Sequence, residues 1–174
     1  MVLDLTGTHP SWADTPWTIG RYDELRPGVY QQGLFDGGRC LHVGIDLGGP
    51  VGTPVCAWSD CTVVHGGYNP ADGDYGHVLV TAHRWEGRAL YTLWGHLSAS
   101  SVARWSPGDS VAEGAVLAWL GGEAENGGWP PHLHLQLCWE RPETHDLPGA
   151  VDPAERDAAL ARYPDPRMVL GPLY

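Results

Sequence analysis

Two short segments of this chain alternate strictly between polar and apolar residues, which restricts each of them to a half-buried β-strand. In CLHVGID, which begins at residue 40, His42 and Asp46 share one face and the aliphatic side chains take the other. In PHLHLQLCW, which begins at residue 131, His132 and His134 share a face opposite a row of leucines. A face with paired imidazoles packs poorly in a core, but it can line a cleft with ligands held on a rigid sheet.

A third segment also ends in a histidine. The run YTLWGHL at Tyr91–Leu97 is an apolar strand that ends with a glycine and His96, placed to turn into the same cleft. Nine histidines give some close pairs by chance, and an isolated HxH motif is more often a surface feature than a metal site. Three histidine-bearing strands together favour a metal site. We interpret His83, at the end of another apolar strand, as structural or as a support for a metal ligand, rather than as a ligand itself.

Glycine and proline punctuate the whole chain, with 24 and 15 of the 174 residues, and helix periodicity is scarce. This predicts one compact all-β domain of short strands separated by turns. A hairpin turn is expected at 85–87, and a helix is expected from Pro153, capped by Asp152, to about Tyr163. Strands are expected at 41–46, 54–58, 61–66, 76–83, 88–95, 110–113, 115–120 and 132–139.

Three motifs occur in a characteristic order: HVGIDLGGPVGTPV from residue 42, then GHL, then PHLHLQ. This order is typical of the lysostaphin/LytM-like zinc metallopeptidases, a family of the peptidoglycan endopeptidase type. The chain resembles this family over residues 41–140. The resemblance implies an all-β fold of the duplicated hybrid-motif, barrel-sandwich type, a two-layer antiparallel sheet with a short C-terminal helix. It also implies one Zn²⁺ per chain, bound by His42, Asp46 and His134 with a water in the fourth position.

The resemblance assigns roles to two further histidines. His132 is expected to accept the proton of the water and pass it to the leaving amine. His96 is expected to steady the developing oxyanion or to share this proton transfer, and the division of roles between the two stays open. The loop ENGGWPP replaces the small serine- and threonine-containing loop common in the family, and within it Asn126 and Trp129 are candidate substrate-binding residues.

Three parts of the chain are distinguished. We predict an N-terminal arm over 1–39, which packs aromatic residues such as Trp12 and Tyr30 on the core and could cover part of the cleft. A metallopeptidase domain over 40–140 and a C-terminal extension with a short helix over 141–174 follow. The form NGGWPPHLHLQ, with the later LPG and PDP segments, is similar to the subgroup fused to class III aminotransferases, which suggests cytoplasmic amino-compound metabolism.

The net charge of -11 repels polyanions, which argues against nucleic acid and offers no attraction to anionic cell-wall polymers. The first residues lack the basic and apolar stretches of a signal peptide or membrane anchor, so we expect a cytoplasmic protein without membrane association, although export by another route stays open. The four cysteines form no CxxC motif and are expected to be reduced. Cys56 and Cys61 could pair after export.

Three function classes follow from these patterns. The first is a zinc metallopeptidase or amidohydrolase that cleaves a peptidoglycan peptide or a small cytoplasmic amino compound. The second is a non-haem iron enzyme, since two histidines and a carboxylate also form the Fe(II) facial triad, although HxxxD replaces the usual HxD. The third is a non-catalytic binding module, which ranks last because no ligand is lost. The expected partner is a peptide or small amino-compound substrate, and the oligomeric state stays open.

Overall fold

The computed structural model describes residues 1–7 and 15–174, so His9 and Trp12 lie outside the described part of the chain. The described residues form short antiparallel strands and a few short helices. The strands are β1 Ile19–Gly20, β2 Glu24–Leu25, β3 Leu41–His42, β4 Ile45–Gly48, β5 Pro54–Cys56, β6 Cys61–Asn69, β7 Gly76–Trp85, β8 Arg88–Leu97, β9 Ser110–Val111, β10 Val116–Trp119, β11 His132–Cys138 and β12 Ala150–Val151. The helices are α1 Ala99–Val102, α2 Arg156–Arg162 and α3 Arg167–Leu170, with 3₁₀ turns at Gly33–Phe35 and Pro153–Glu155.

The strands assemble into one large sheet and two small ones. The seven-stranded sheet has the order β1-β4-β11-β8-β7-β6-β9, and the small sheets have the orders β10-β5 and β12-β3-β2. All of these strand pairs are antiparallel. The all-β, antiparallel fold class predicted from the sequence is therefore confirmed.

Each face of the large sheet buries an apolar layer, because alternate residues of its strands point to opposite sides. On one face Trp94 and Leu135 pack with Leu117 of the β10-β5 sheet. On the other face Val80 packs in a cluster that includes Tyr163, the residue after α2. The long central strands are thus covered on both sides, which gives the site a rigid base.

The segment 41–46 was predicted as one strand, but the structure divides it. Leu41–His42 belongs to the three-stranded sheet, whereas Ile45–Gly48 belongs to the seven-stranded sheet. Between them the Val43 amide donates to the Gly149 carbonyl at 3.1 Å. The chain therefore steps from one sheet to the other, so that side chains from two sheets meet at this point.

The other seven predicted strands occur within a few residues of their expected ends, whereas β1, β2 and β12, of two residues each, were not predicted. The β7–β8 hairpin turns through Glu86 and Gly87, whose φ angles of 48° and 81° suit a tight two-residue turn. The predicted C-terminal helix begins as a 3₁₀ turn, capped where Asp152 Oδ1 accepts from the Ala154 amide at 2.8 Å, and continues as α2. No helix among the described residues is long and apolar enough to cross a membrane.

Candidate metal centre

Three side-chain atoms converge where β3 meets the large sheet. Nε2 of His42, Oδ1 of Asp46 and Nδ1 of His134 lie 3.1 to 3.2 Å from one another. The register of β11 on β4 pairs His134 with Asp46 directly, and β3 brings His42 over them. A tetrahedral zinc ion with bonds of about 2.0–2.1 Å separates its ligand atoms by about 3.3 Å. The triangle therefore fits one such ion.

Both imidazoles are held in the form that a metal ion requires. His42 donates from Nδ1 to the Arg21 carbonyl at 2.8 Å, and His134 donates from Nε2 to Oε1 of Gln136 at 3.1 Å. The nitrogens that face the triangle therefore carry lone pairs. Gln136 is itself held by the hydroxyl of Tyr75 at 3.5 Å, and burial raises the pKa of Tyr75 well above its usual range, which keeps that hydroxyl a donor.

The charges of the triangle also suit a divalent cation. Burial, together with the positive charge of Arg26, lowers the pKa of His42 to about 4, so this imidazole is neutral at neutral pH. Burial alone would raise the pKa of Asp46, but the guanidinium of Arg26, bonded to Oδ2, holds it well below its usual range. Neutral imidazole nitrogens and one carboxylate oxygen form a donor set that zinc accepts.

Arg26 is a part of this centre that the sequence analysis did not identify. Its guanidinium, with 2% of the residue exposed, donates from Nη1 to Oδ2 of Asp46 at 2.6 Å and from Nε to Oε2 of Glu24 at 2.9 Å. Only Oδ1 of Asp46 therefore faces His42 and His134 and is available to bind a metal ion. One signal was available, because alternation in the run ELR places Glu24 and Arg26 on the same face of an extended segment.

The other two predicted histidines lie side by side next to the triangle. The rings of His96 and His132 are 4.1 Å apart between centroids, and Nε2 of His132 is 3.8 Å from Oδ1 of Asp46. Nδ1 of His96 donates to the Asn126 carbonyl and Nδ1 of His132 to the Pro130 carbonyl, each at 2.7 Å. Burial lowers the pKa of both rings, and that of His96 falls well below its usual range. Each ring therefore keeps a free lone pair on Nε2.

The glycine before His96 explains part of the GHL motif. A Cβ on Gly95 would lie 2.7 Å from the ring of Tyr75, so only glycine lets that ring approach the centre. His96 itself has a φ of 63°, a left-handed conformation that is unusual outside glycine. The bond from the His96 amide to the Tyr75 carbonyl, 3.0 Å long, helps to hold this conformation.

The two predicted substrate-binding residues lie in different environments. Asn126 is fully buried, and its side chain bonds to the backbone of its own loop, including the Trp129 carbonyl at 2.9 Å, while its carbonyl holds His96. Trp129 borders a cavity of about 550 Å³ that also reaches His132 and His134. The structure thus gives Asn126 a positioning contact with His96. Contact with substrate stays a prediction for both residues.

Comparisons with known sequences agree with this geometry. The family model described as Peptidase family M23 matches residues 41–146. The chain is 35% identical over 96 residues to DD-carboxypeptidase/endopeptidase Mpg of Neisseria meningitidis serogroup B, a match that covers 55% of this chain and 20% of that protein. It is 31% identical over 113 residues to Peptidoglycan DD-endopeptidase ShyC of Vibrio cholerae serotype O1, covering 63% and 24%. The chain thus spans about a fifth to a quarter of the length of these relatives.

Solved structures share the fold. The catalytic domain of the prophage-encoded M23 protein EnpA from Enterococcus faecalis superposes with a TM-score of 0.52 at 23% identity, covering 84% of this chain and 95% of that chain. The catalytic domain of lysostaphin from Staphylococcus simulans gives a TM-score of 0.52 at 21% identity, with coverage of 80% and 91%. The lysostaphin-like fold expected from the sequence motifs is confirmed. The likeness to the subgroup fused to aminotransferases stays a prediction.

Proposed function

The chain belongs to peptidase family M23, and from this membership we propose that it is a zinc-dependent metallohydrolase that cleaves a peptide or amide bond with histidine acid/base catalysis. The observation that carries the proposal is the triangle of His42, Asp46 and His134, whose imidazoles turn their unprotonated nitrogens toward one point. Zinc bound there supplies a Lewis acid and lowers the pKa of a bound water to about 7.

His132 is the residue that we assign to the first proton transfer. Its Nε2 lies beside the triangle and carries a lone pair, so it can accept the proton of the attacking water. The bond from its Nδ1 to the Pro130 carbonyl stabilises the charge that the ring then gains. His96 lies too close for both rings to be charged at low cost, so the pair shares one proton and delivers it to the leaving amine.

The substrate that we propose is a peptide or a small amino-compound amide. The names of the curated relatives support a peptidoglycan peptide. The net charge of -11 and four free thiols instead support a small substrate in a reducing compartment such as the cytoplasm. We also propose that residues 1–39, 40–140 and 141–174 act as one unit, since the arm contributes Arg26 to the centre and the extension contributes β12 to the sheet of His42.

Metal analysis combined with a hydrolysis assay tests this proposal. The purified protein should hold about one zinc per chain and cleave at least one member of a panel of peptidoglycan stem peptides, glycine-rich peptides and amino-acid amides. His134→Ala should lose zinc and turnover together. His132→Ala should keep zinc but lose about 10²–10⁴-fold in kcat. His145→Ala, outside the centre, serves as the control.

Three results would contradict the proposal. Bound iron with oxygen consumption would favour the iron enzyme considered above. A protein that binds no metal would favour the binding module. Full turnover in zinc-free His134→Ala protein would place the chemistry elsewhere.

A further inference from the structure

A cavity of about 550 Å³ opens directly beside the metal centre, and the N-terminal arm forms one of its sides. This volume lies in the range of sites for small molecules. Most of the arm residues that border it are apolar or aromatic, among them Leu3, Leu5, Val29, Tyr30 and Phe35, and its charged residues there are Arg26 and Arg39. The arm thus adds an apolar wall to a centre whose own residues are polar.

This wall runs outward from the metal centre through a chain of contacts. Asp46 bonds Arg26 at 2.6 Å, and Nη1 of Arg26 donates to the hydroxyl of Tyr30 at 3.3 Å. The ring of Tyr30 lies 4.6 Å from that of Phe35, and the guanidinium of Arg39 lies 5.8 Å from the Phe35 ring centroid. The rings of Tyr30 and Phe35 therefore lie between the metal centre and the guanidinium of Arg39.

The wall is held in place before any ligand binds. Tyr30 meets Trp129 edge to face, with 6.3 Å between ring centroids, and Trp129 is fixed by a bond from Nε1 to the Gly73 carbonyl at 3.0 Å. Leu5, which is 2% exposed, belongs to the small apolar cluster against which both aromatic residues pack. A preformed aromatic pocket lowers the entropic cost of binding an apolar group.

The charges around the cavity are unequally placed. Within the described ranges 1–7 and 15–174, Arg39 forms no ion pair, and its side chain is half-buried. Besides Asp46 of the metal centre, two carboxylates, Asp74 and Asp146, border the cavity near Tyr75 and Gly149. An anionic group of a ligand is repelled by these carboxylates and attracted by Arg39.

We propose that this pocket binds the side chain and the free carboxylate of a small amide substrate. An aromatic or large aliphatic side chain lies against Tyr30, Phe35 and Trp129, and the carboxylate pairs with Arg39 at the far end of the wall. The substrate class is thus a short peptide or acylated amino acid with an apolar residue at its free carboxyl end. This inference rests on the proposed function, because it names the substrate of the same centre.

Binding of uncleavable ligands to the zinc-loaded full chain tests the pocket independently of turnover. The probes are ketomethylene analogues of N-acetyl-alanyl-phenylalanine, of its carboxamide and of N-acetyl-alanyl-glycine, measured by titration calorimetry. The acid should bind about tenfold more tightly than the carboxamide, since a charge-assisted pair is formed. Arg39→Gln should abolish that preference. Arg104→Gln removes another arginine that lies over aromatic rings, away from the cavity, and should preserve it.

Phe35→Ala provides the second measurement. It should weaken the phenylalanine ligand about five- to tenfold and leave the glycine ligand unchanged, because only the former uses the aromatic wall. Equal binding of acid and carboxamide, or a preference that survives Arg39→Gln, overturns the inference. If the ligands bind as expected but no peptide is cleaved, the pocket stands and the proposed hydrolase fails. If peptides are cleaved without dependence on Arg39 or Phe35, the hydrolase stands and the pocket fails.

Discussion

The two carboxylate oxygens of Asp46 have different partners, and this asymmetry comes from a single arginine. Oδ2 accepts from Arg26, whereas Oδ1 faces His42 and His134. A carboxylate with both oxygens free could rotate or bind a metal ion through both. Arg26 therefore acts as a positioning residue that keeps Oδ1 directed toward the two imidazoles.

Replacing Arg26 separates orientation from charge. Loss of a positive charge alone should strengthen the binding of a cation, whereas loss of orientation should weaken it by about 10–100-fold. We expect weakening in both Arg26→Gln and Arg26→Lys, measured as the zinc dissociation constant by chelator competition. Arg21→Gln, which removes a partly exposed guanidinium 3.7 Å from Glu24, should leave the constant unchanged. Tighter zinc binding by folded Arg26→Gln protein would show that charge outweighs orientation.

The residues of the triangle and Arg26 differ in how far the sequence reveals them. His42, Asp46 and His134 lie in segments whose residues alternate between polar and apolar, so this alternation and the spacing of the motif identify them. Arg26 lies 20 residues before Asp46 in the arm, and only the tertiary approach of the arm brings them together. A motif search reads local spacing and therefore misses a contact of this kind.

At the scale of elements, the break between β3 and β4 determines the geometry of the centre. An unbroken strand over 41–46 would keep His42 in the same sheet as Asp46. Because of the break, His42 belongs to the three-stranded sheet and lies above the carboxylate of Asp46, which belongs to the seven-stranded sheet. The parity rule predicted that the two side chains share a face, but on an unbroken strand they would lie about 13 Å apart. The break, which brings them to 3.2 Å, is accompanied by the bond from Val43 to the distant Gly149, a contact that local spacing does not reveal.

Gly44, which lies between β3 and β4, leaves room for the imidazole of His134. A Cβ at this position would lie 2.5 Å from Cε1 of His134, so Gly44→Ala must displace the imidazole or the backbone. We expect zinc affinity to fall at least tenfold, measured by the same chelator competition. Gly122→Ala is the matched control, because its Cβ would meet nothing closer than 3.8 Å. Unchanged affinity in Gly44→Ala would mean that the strand shifts without moving the ligand.

At the scale of the whole molecule, segments outside the family motifs complete both the sheets and the site. The arm supplies β1 to the seven-stranded sheet and β2 to the three-stranded sheet, and the extension supplies β12 beside β3. The sequence identified both segments as additions with aromatic and helical content. It could not assign their partners, because strands of two residues carry too little periodicity to predict pairing.

Stability of the whole domain should depend on pH through His83, which lies on β7 away from the centre. Its Nε2 accepts from the Thr81 hydroxyl at 2.7 Å, its Nδ1 donates to Ser59 at 2.9 Å, and its ring stacks on Trp58 at 4.1 Å between centroids. The Thr81 oxygen also accepts from the Trp94 indole at 2.8 Å, which leaves the hydroxyl proton free for donation to His83. These contacts suit the neutral ring, and burial lowers the pKa of His83 from 6.5 to about 4.

Between these two pH values the unfolded chain binds a proton at residue 83 that the folded chain does not bind. The neutral ring therefore contributes fully to stability above about pH 6.5, and this contribution falls by up to about 3 kcal/mol as the pH drops toward 4. The free energy of unfolding is measured with urea at pH 7.5 and pH 4.5. Between these pH values it should fall by about 2–3 kcal/mol more in the wild type than in His83→Gln, whose side chain binds no proton. Zinc release in acid affects both proteins alike, so the difference between them isolates His83. Equal losses in the two proteins would mean that the folded domain opens around this ring and protonates it without unfolding.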